Sequence, residues 1–171
     1  MKKVIIILLA LALCPLFANA QSKQINDILD KYEKKKTVES IEVTPSLLSF
    51  MTNTEDAETN EALSKITKIR ILNINTSAIE NGVPLRNALR SELDILISKE
   101  QFSRVVKVKD GEEMLEVFIA QNGQGALLFL ASSTQEFTVI SIFGKIDKGV
   151  VNSLMNGTIQ GTMKRSRPRT R

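Results

Sequence analysis

Between Phe102 and Ile146 the chain carries four strand-like runs, three of which have no polar side. The four span about residues 102–109, 113–121, 124–133 and 136–146. A strand with one face in water alternates apolar and polar residues. Here Met114, Phe118 and Ala120 oppose Leu115, Val117 and Ile119, while Leu128 and Leu130 oppose Leu127 and Phe129. Phe137, Val139 and Phe143 oppose Ile140 and Ile142, and in an earlier run Ile69 and Ile71 oppose Leu72 and Ile74. A sheet built from such strands needs cover on both faces. Either helices of the same chain divide between the faces, or the sheet curls, or a second copy, a partner or a lipid-like ligand covers one of them. The runs holding Leu127–Leu130 and Val139–Phe143 are expected to be central strands.

The rest of the chain supplies the helices. Ile25, Ile28, Leu29 and Tyr32 fall at i, i+3, i+4 and i+7, one stripe of a helix over about Lys23–Lys35. The lysine run Lys34-Lys35-Lys36 fits its C-terminal end, where cations offset the helix dipole. Thr37–Val43 reads as a strand. Thr44-Pro45 then caps and opens a short helix with Leu47, Leu48 and Met51 on its apolar side. A second short helix leads to Ile66, and Lys68–Thr76 is a strand. Asn81-Gly82 breaks the chain. From Pro84 to about Ser98 the spacing of Leu85, Ala88, Leu89, Leu93, Leu96 and Ile97 predicts the longest helix. Asp110-Gly111 and Asn122-Gly123 are two-residue hairpin signals, because both positions tolerate φ > 0. They make the four late strands an antiparallel meander, after which Asp147 caps a last helix through Val150, Val151, Leu154 and Met155. The expected fold is α+β: a mainly antiparallel sheet of five to six strands, packed with about five helices.

The N-terminus points out of the cytoplasm. Lys2 and Lys3 precede an unbroken apolar run from Val4 to Leu13, and Ala18-Asn19-Ala20 offers the small-x-small site of a signal peptidase. The run is too short to span a bilayer, which takes about 20 apolar residues. Ala18, Ala20 and Gln21 are therefore the expected cleavage site, and residues 1–20 the leader. Cys14 is the only cysteine of the chain. Leu13 before it and Pro15 after it argue against a lipidated cysteine. Without the leader the chain has no disulfide, thiolate nucleophile or cysteine metal site to offer. Residues 21–163 suit one α+β domain, and 164–171 form a basic tail.

Composition closes many chemical routes. The chain has no histidine and no tryptophan, and Tyr32 is its one tyrosine. That removes the usual general base near neutral pH, the usual transition-metal ligand and the middle member of a Ser-His-Asp triad. The formal charge of +4 arises at the ends. The tail residues Lys164, Arg165, Arg167, Arg169 and Arg171 come with no acid, so the body between leader and tail is net acidic. The body is no nucleic-acid binder. The tail reads in two ways. It is a solvated, disordered end, or it meets an anionic surface, where each basic residue adds about 1 kcal/mol. Glu55, Asp56, Glu58 and Glu61 lack the spacing and glycine of a calcium loop. Ser64-Lys65 and Ser98-Lys99 are adjacent residues, which do not face each other on a helix. Gln121–Gly125 is glycine-rich but lies between strands rather than before a helix, so it is a turn and no phosphate cradle. No catalytic residue, cofactor or metal site is expected.

Three segments in order carry a resemblance. They are Ile28–Tyr32 with Val43–Met51, Leu63–Leu72, and Phe137–Asp147 followed by Val151 and Leu154. Together they resemble an exported family of Bacteroides-type Gram-negative bacteria, domain of unknown function 4252. Lys145 departs from the acidic residue expected in a Gly-Asp-Ile-Asp-like segment. The resemblance implies an envelope location and a small α+β domain, and brings no activity, cofactor or functional residue. The expectation is an exported protein of the periplasm or exterior, a non-enzymatic binding or assembly module. Its partner would be a second copy or an envelope protein on an apolar sheet face, or an anionic membrane at the tail. The alternatives are a lipid-binding or apolar-ligand-binding domain, and a hydrolase using carboxylate and hydroxyl groups.

Overall fold

The computed structural model describes residues 20–51, 57–99, 102–120 and 124–153. In chain order the elements are α1 (Ala20–Glu33), β1 (Val38–Val43), α2 (Pro45–Met51), α3 (Ala57–Ser64), β2 (Ile66–Asn75), β3 (Ile79–Glu80), β4 (Val83–Pro84), α4 (Leu85–Lys99), β5 (Phe102–Asp110), β6 (Glu113–Ala120), β7 (Gln124–Ser132), β8 (Glu136–Lys145) and α5 (148–153). Six strands form one sheet in the order β1-β2-β8-β7-β6-β5, and every neighbour pair is antiparallel. The α+β class and the C-terminal meander are as the sequence predicts. β7 and β8 are interior strands of the sheet.

Helices of the same chain lie on both faces. On the first face α1 and α4 pack side by side. Ile25, Leu29 and Tyr32 of α1 join Leu85, Leu89, Leu93 and Leu96 of α4 over Leu72, Ile74, Phe118, Leu128, Leu130, Val139 and Phe143. The last turn of α1 is tied to the middle of α4, where Glu92 Oε1 accepts hydrogen bonds from Lys31 Nζ (2.5 Å) and Tyr32 Oη (2.9 Å). Burial, then Glu92, raises the Tyr32 hydroxyl above its usual pKa. On the second face Leu48 of α2, Ala62 of α3 and Val150 of α5 pack with Val117, Leu127, Phe129, Ile142 and Ile146. A strand whose neighbouring residues sit in two different cores cannot alternate with polar residues, which explains the run of apolar residues from Ala126 to Leu130.

Three local details differ from the sequence reading. α1 ends at Glu33, so Lys34, Lys35 and Lys36 lie in the turn beyond it, closed by Lys35 N–H donating to the Tyr32 carbonyl at 2.9 Å. Asn81-Gly82 does not merely break the chain. With φ of 50° and 77° it makes a two-residue turn between β3 and β4 that pairs Glu80 with Val83. Pro84 belongs to β4, and α4 begins at Leu85. Asn122-Gly123 and the tail from Lys164 lie outside the described residues.

Candidate functional site

Three clusters of polar or exposed side chains stand out. The first lies under α1. Arg70 sits on β2 facing α1 and is 2 % exposed. Its guanidinium meets Asp30 at 2.6 Å, Glu33, and Glu42 of β1 at 3.8 Å, and it donates to Asn26 Oδ1 at 2.9 Å. Ser141 lies opposite Arg70 on β8, fully buried. This network fixes how α1 sits on the sheet. A guanidinium held by three carboxylates has no charge left over for a ligand.

The second cluster ties α4 to the far side of the sheet. Glu116 on β6 is buried between Arg90 of α4 (2.7 Å) and Arg104 of β5 (2.9 Å), and Arg90 also meets Asp94 at 2.9 Å. Burial pushes the Glu116 carboxyl up, but hydrogen bonds and charge from the two arginines outweigh it, so its pKa is lowered. This carboxylate is ionised and paired with two arginines, the opposite of what a general acid needs.

The third cluster lines a groove of about 800 Å³ at the end of the sheet, between the start of α1 and the α3–β2 turn. Its walls include Ser22, Asn26, Lys65, Lys68, Gly144 and Lys145. Gly144 has a reason here. Its φ is +146°, and a Cβ would stand 2.2 Å from the Lys65 carbonyl oxygen, which accepts from Lys145 N–H at 3.0 Å. Lys65 pairs with Glu61 (2.6 Å) and Asp147 (2.9 Å), and these hydrogen bonds hold its ammonium pKa up. Lys65 in turn holds the Asp147 carboxyl down, helped by the Val150 N–H, which donates to Asp147 Oδ1 at 3.0 Å and caps α5 as expected. The groove opens to solvent, and its best-placed lysine is already neutralised.

The sequence candidates distribute as follows. Ser64 Oγ donates to the Glu61 carbonyl at 2.7 Å and Ser98 Oγ to the Ile95 carbonyl at 2.9 Å, so neither serine is bonded to the lysine beside it. Of the acidic stretch, Glu61 is spent on Lys65. Glu55 and Asp56 lie outside the described residues, and the Glu58 side chain is likewise not described. Ala20 and Gln21 open α1, while Ala18 falls outside the described residues, as do Lys164, Arg165, Arg167, Arg169 and Arg171. Among the described residues no three acids are grouped to hold a metal ion, and no helix is long and apolar enough to cross a membrane.

What sequence reasoning missed is an apolar rim around the second face. Ile41 on β1, Leu47 and Phe50 on α2, and Val108 on β5 are exposed, Phe50 by 77 %. The helices described on this face are short, seven residues in α2 and eight in α3, and these four side chains stand exposed at its margins. The signal was present in Leu47 and Phe50, three apart on a helix whose described core contact is Leu48.

Residues 32–154 match a family model described as a domain of unknown function (DUF4252). No curated protein and no solved structure matches the chain. The match covers most of the chain, which belongs to that family.

Proposed function

We propose that this family member is an exported, non-enzymatic binding or assembly module of the bacterial cell envelope, as in Bacteroides-type Gram-negative bacteria. The leader-like residues 1–20 support export. One observation carries the binding role: Ile41, Leu47 and Phe50 stay exposed on consecutive segments of a protein whose two cores are otherwise well filled. A large aromatic left in water on a two-turn helix stabilises nothing in the free chain, and such patches mark interaction sites. The polar clusters favour the same reading. Glu116, Arg70, Lys65 and Asp147 are each held by opposite charges in arrangements that fasten helices to the sheet.

Placing a photocrosslinking residue at position 50, in cells that make the protein, tests the reading. Discrete adducts in the envelope fraction are expected, with none from the same residue at exposed Asn87. Equal labelling at both positions, or a mature N-terminus that retains residues 1–20, would count against it.

A further inference from the structure

The sheet ends in two open edges whose chemistry is complementary. Among the described residues β1 pairs with β2 only and β5 with β6 only. Alternation assigns every residue of β1 to a face: Val38 packs in the core under α1 and Glu42 reaches Arg70 there, while Val43 packs in the second core. Ile41 therefore shares the second face with Val43, and Ser40 shares the first with Glu42. On β5 a bulge at Val105 resets the alternation between Arg104 and Val106. Beyond it Val106 packs in the second core, so Val108 lies on the second face and Lys107 and Lys109 on the first. Ile41 and Val108 each keep more than half of their surface in solvent. Lys107 and Lys109 are exposed and have no described ion-pair partner.

We propose that β1 of one copy pairs with β5 of the next, continuing the sheet from chain to chain. The geometry permits it without turning a copy over. Six strands alternating in direction leave β1 and β5 running opposite ways, so side-by-side copies meet antiparallel with the same faces up. With Ile41 opposite Val108, Val43 falls opposite Val106 on the second face. On the first face Glu42 falls opposite Lys107, and Ser40 opposite Lys109. Ile41 and Val43 meet apolar partners on the second face and acid meets base at Glu42, while the one like-charge pair, Glu39 opposite Asp110, falls at the end of the contact where β5 turns; directly opposed pairs of this kind are the unit of sheet stabilisation. Charges on edge strands ordinarily keep edges apart. Here they select instead, because β1 on β1 offers neither glutamate a base, β5 on β5 crowds the lysines, and the mixed pairing is the one that sets an acid, Glu42, opposite a base. The contact is heterologous, so it builds rings or filaments rather than a closed pair. It is also short, so assembly depends on concentration and weakens as salt rises. This rests on the assembly reading above and names its partner as a second copy; its test uses purified chain alone and so fails separately from the crosslinking at Phe50.

The test is a cysteine ladder in the chain as the cell processes it, on a Cys14→Ser background. Ile41→Cys/Val108→Cys should give a reducible series of dimers, trimers and higher species under mild oxidation. Mixed single variants should give mainly the heterodimer. Adding Lys107→Glu/Lys109→Glu should cut the ladder by about tenfold or more, since an acid at 107 now faces Glu42 and the acid at 109 adds to the repulsion. Ser40→Lys should then restore part of it, by setting a cation opposite the acid introduced at position 109. Circular dichroism checks that each variant is folded. Homodimers of Ile41→Cys forming as fast as heterodimers, or a ladder indifferent to Lys107→Glu/Lys109→Glu, would overturn the proposal.

Discussion

Arg70 gives the most discriminating test of how the chain is held together. It is 2 % exposed, whereas its partners Asp30, Glu33 and Glu42 are 55 %, 46 % and 46 % exposed. The desolvation cost of the network therefore falls on the cation. Removing the cation and removing the anions should have unequal effects. Arg70→Met deletes the buried charge, fills similar space and leaves three acids that water already reaches. Removing one member of a buried pair is costly because it strands a buried charge, and here the members left behind are hydrated. The lost hydrogen bond to Asn26 costs about 1 kcal/mol, so the net change should stay within about 1.5 kcal/mol. Asp30→Asn/Glu33→Gln/Glu42→Gln does the reverse and strands a guanidinium under α1. Breaking a buried pair from the side that leaves a charge costs about 3–5 kcal/mol. For a chain of this size that lowers the midpoint by roughly 6–20 °C. Urea unfolding followed by circular dichroism measures both. If Arg70→Met proves the more damaging change, the view that the acids serve the arginine is wrong.

Other outcomes follow from the same contacts. Phe129→Asp sets an unpaired carboxylate in the second core and should unfold the chain, as an intrinsic fluorescence or circular dichroism melt would register; a folded variant would mean that this face is not enclosed. Gly144→Ala forces a Cβ against the Lys65 carbonyl at positive φ and should cost about 1–3 kcal/mol in denaturant unfolding, a result that wild-type stability would contradict. The lowered pKa of Glu116 contributes stability that is present above its ordinary value of 4.5 and is lost as pH falls through the folded value. Glu116→Gln should therefore be less stable at neutral pH, with the gap closing under acid; a gap that widens on acidification would reverse the assignment. Truncation after Met163 should leave the thermal midpoint within about 2 °C if the basic tail is unpacked.

The sheet was legible because its pattern had one physical cause. Residues 126–130 are apolar at every position, and only a strand between two cores tolerates that. The meander was legible from its turn residues, though the first turn is shifted by one: Asp110 closes β5 opposite Glu113, and Gly111, at φ 57°, makes the two-residue turn with Glu112 rather than with Asp110. The β3–β4 hairpin was harder to read, because its strands are two residues each and Pro84 looks like a helix start. Nothing in the sequence paired Glu116 with Arg90 and Arg104, which lie 26 and 12 positions away on different elements. Long-range partners of that kind leave no periodicity.

The edges illustrate a further limit. In sequence, Val38–Val43 and Arg104–Lys109 both look like ordinary half-wet strands, each with a few charges. The order of strands converts those charges into a constraint. The first strand of the chain and the first of the meander become the outermost two, one bearing Glu39 and Glu42, the other Lys107 and Lys109. Had the meander joined the sheet through β5 rather than β8, the lysines would lie in the interior of the sheet and one open edge would belong to β8, an apolar strand with no charge between Glu136 and Lys145. Such an edge would invite indiscriminate pairing. The observed order buries the most apolar strands and leaves outside the two whose charges choose what may pair with them.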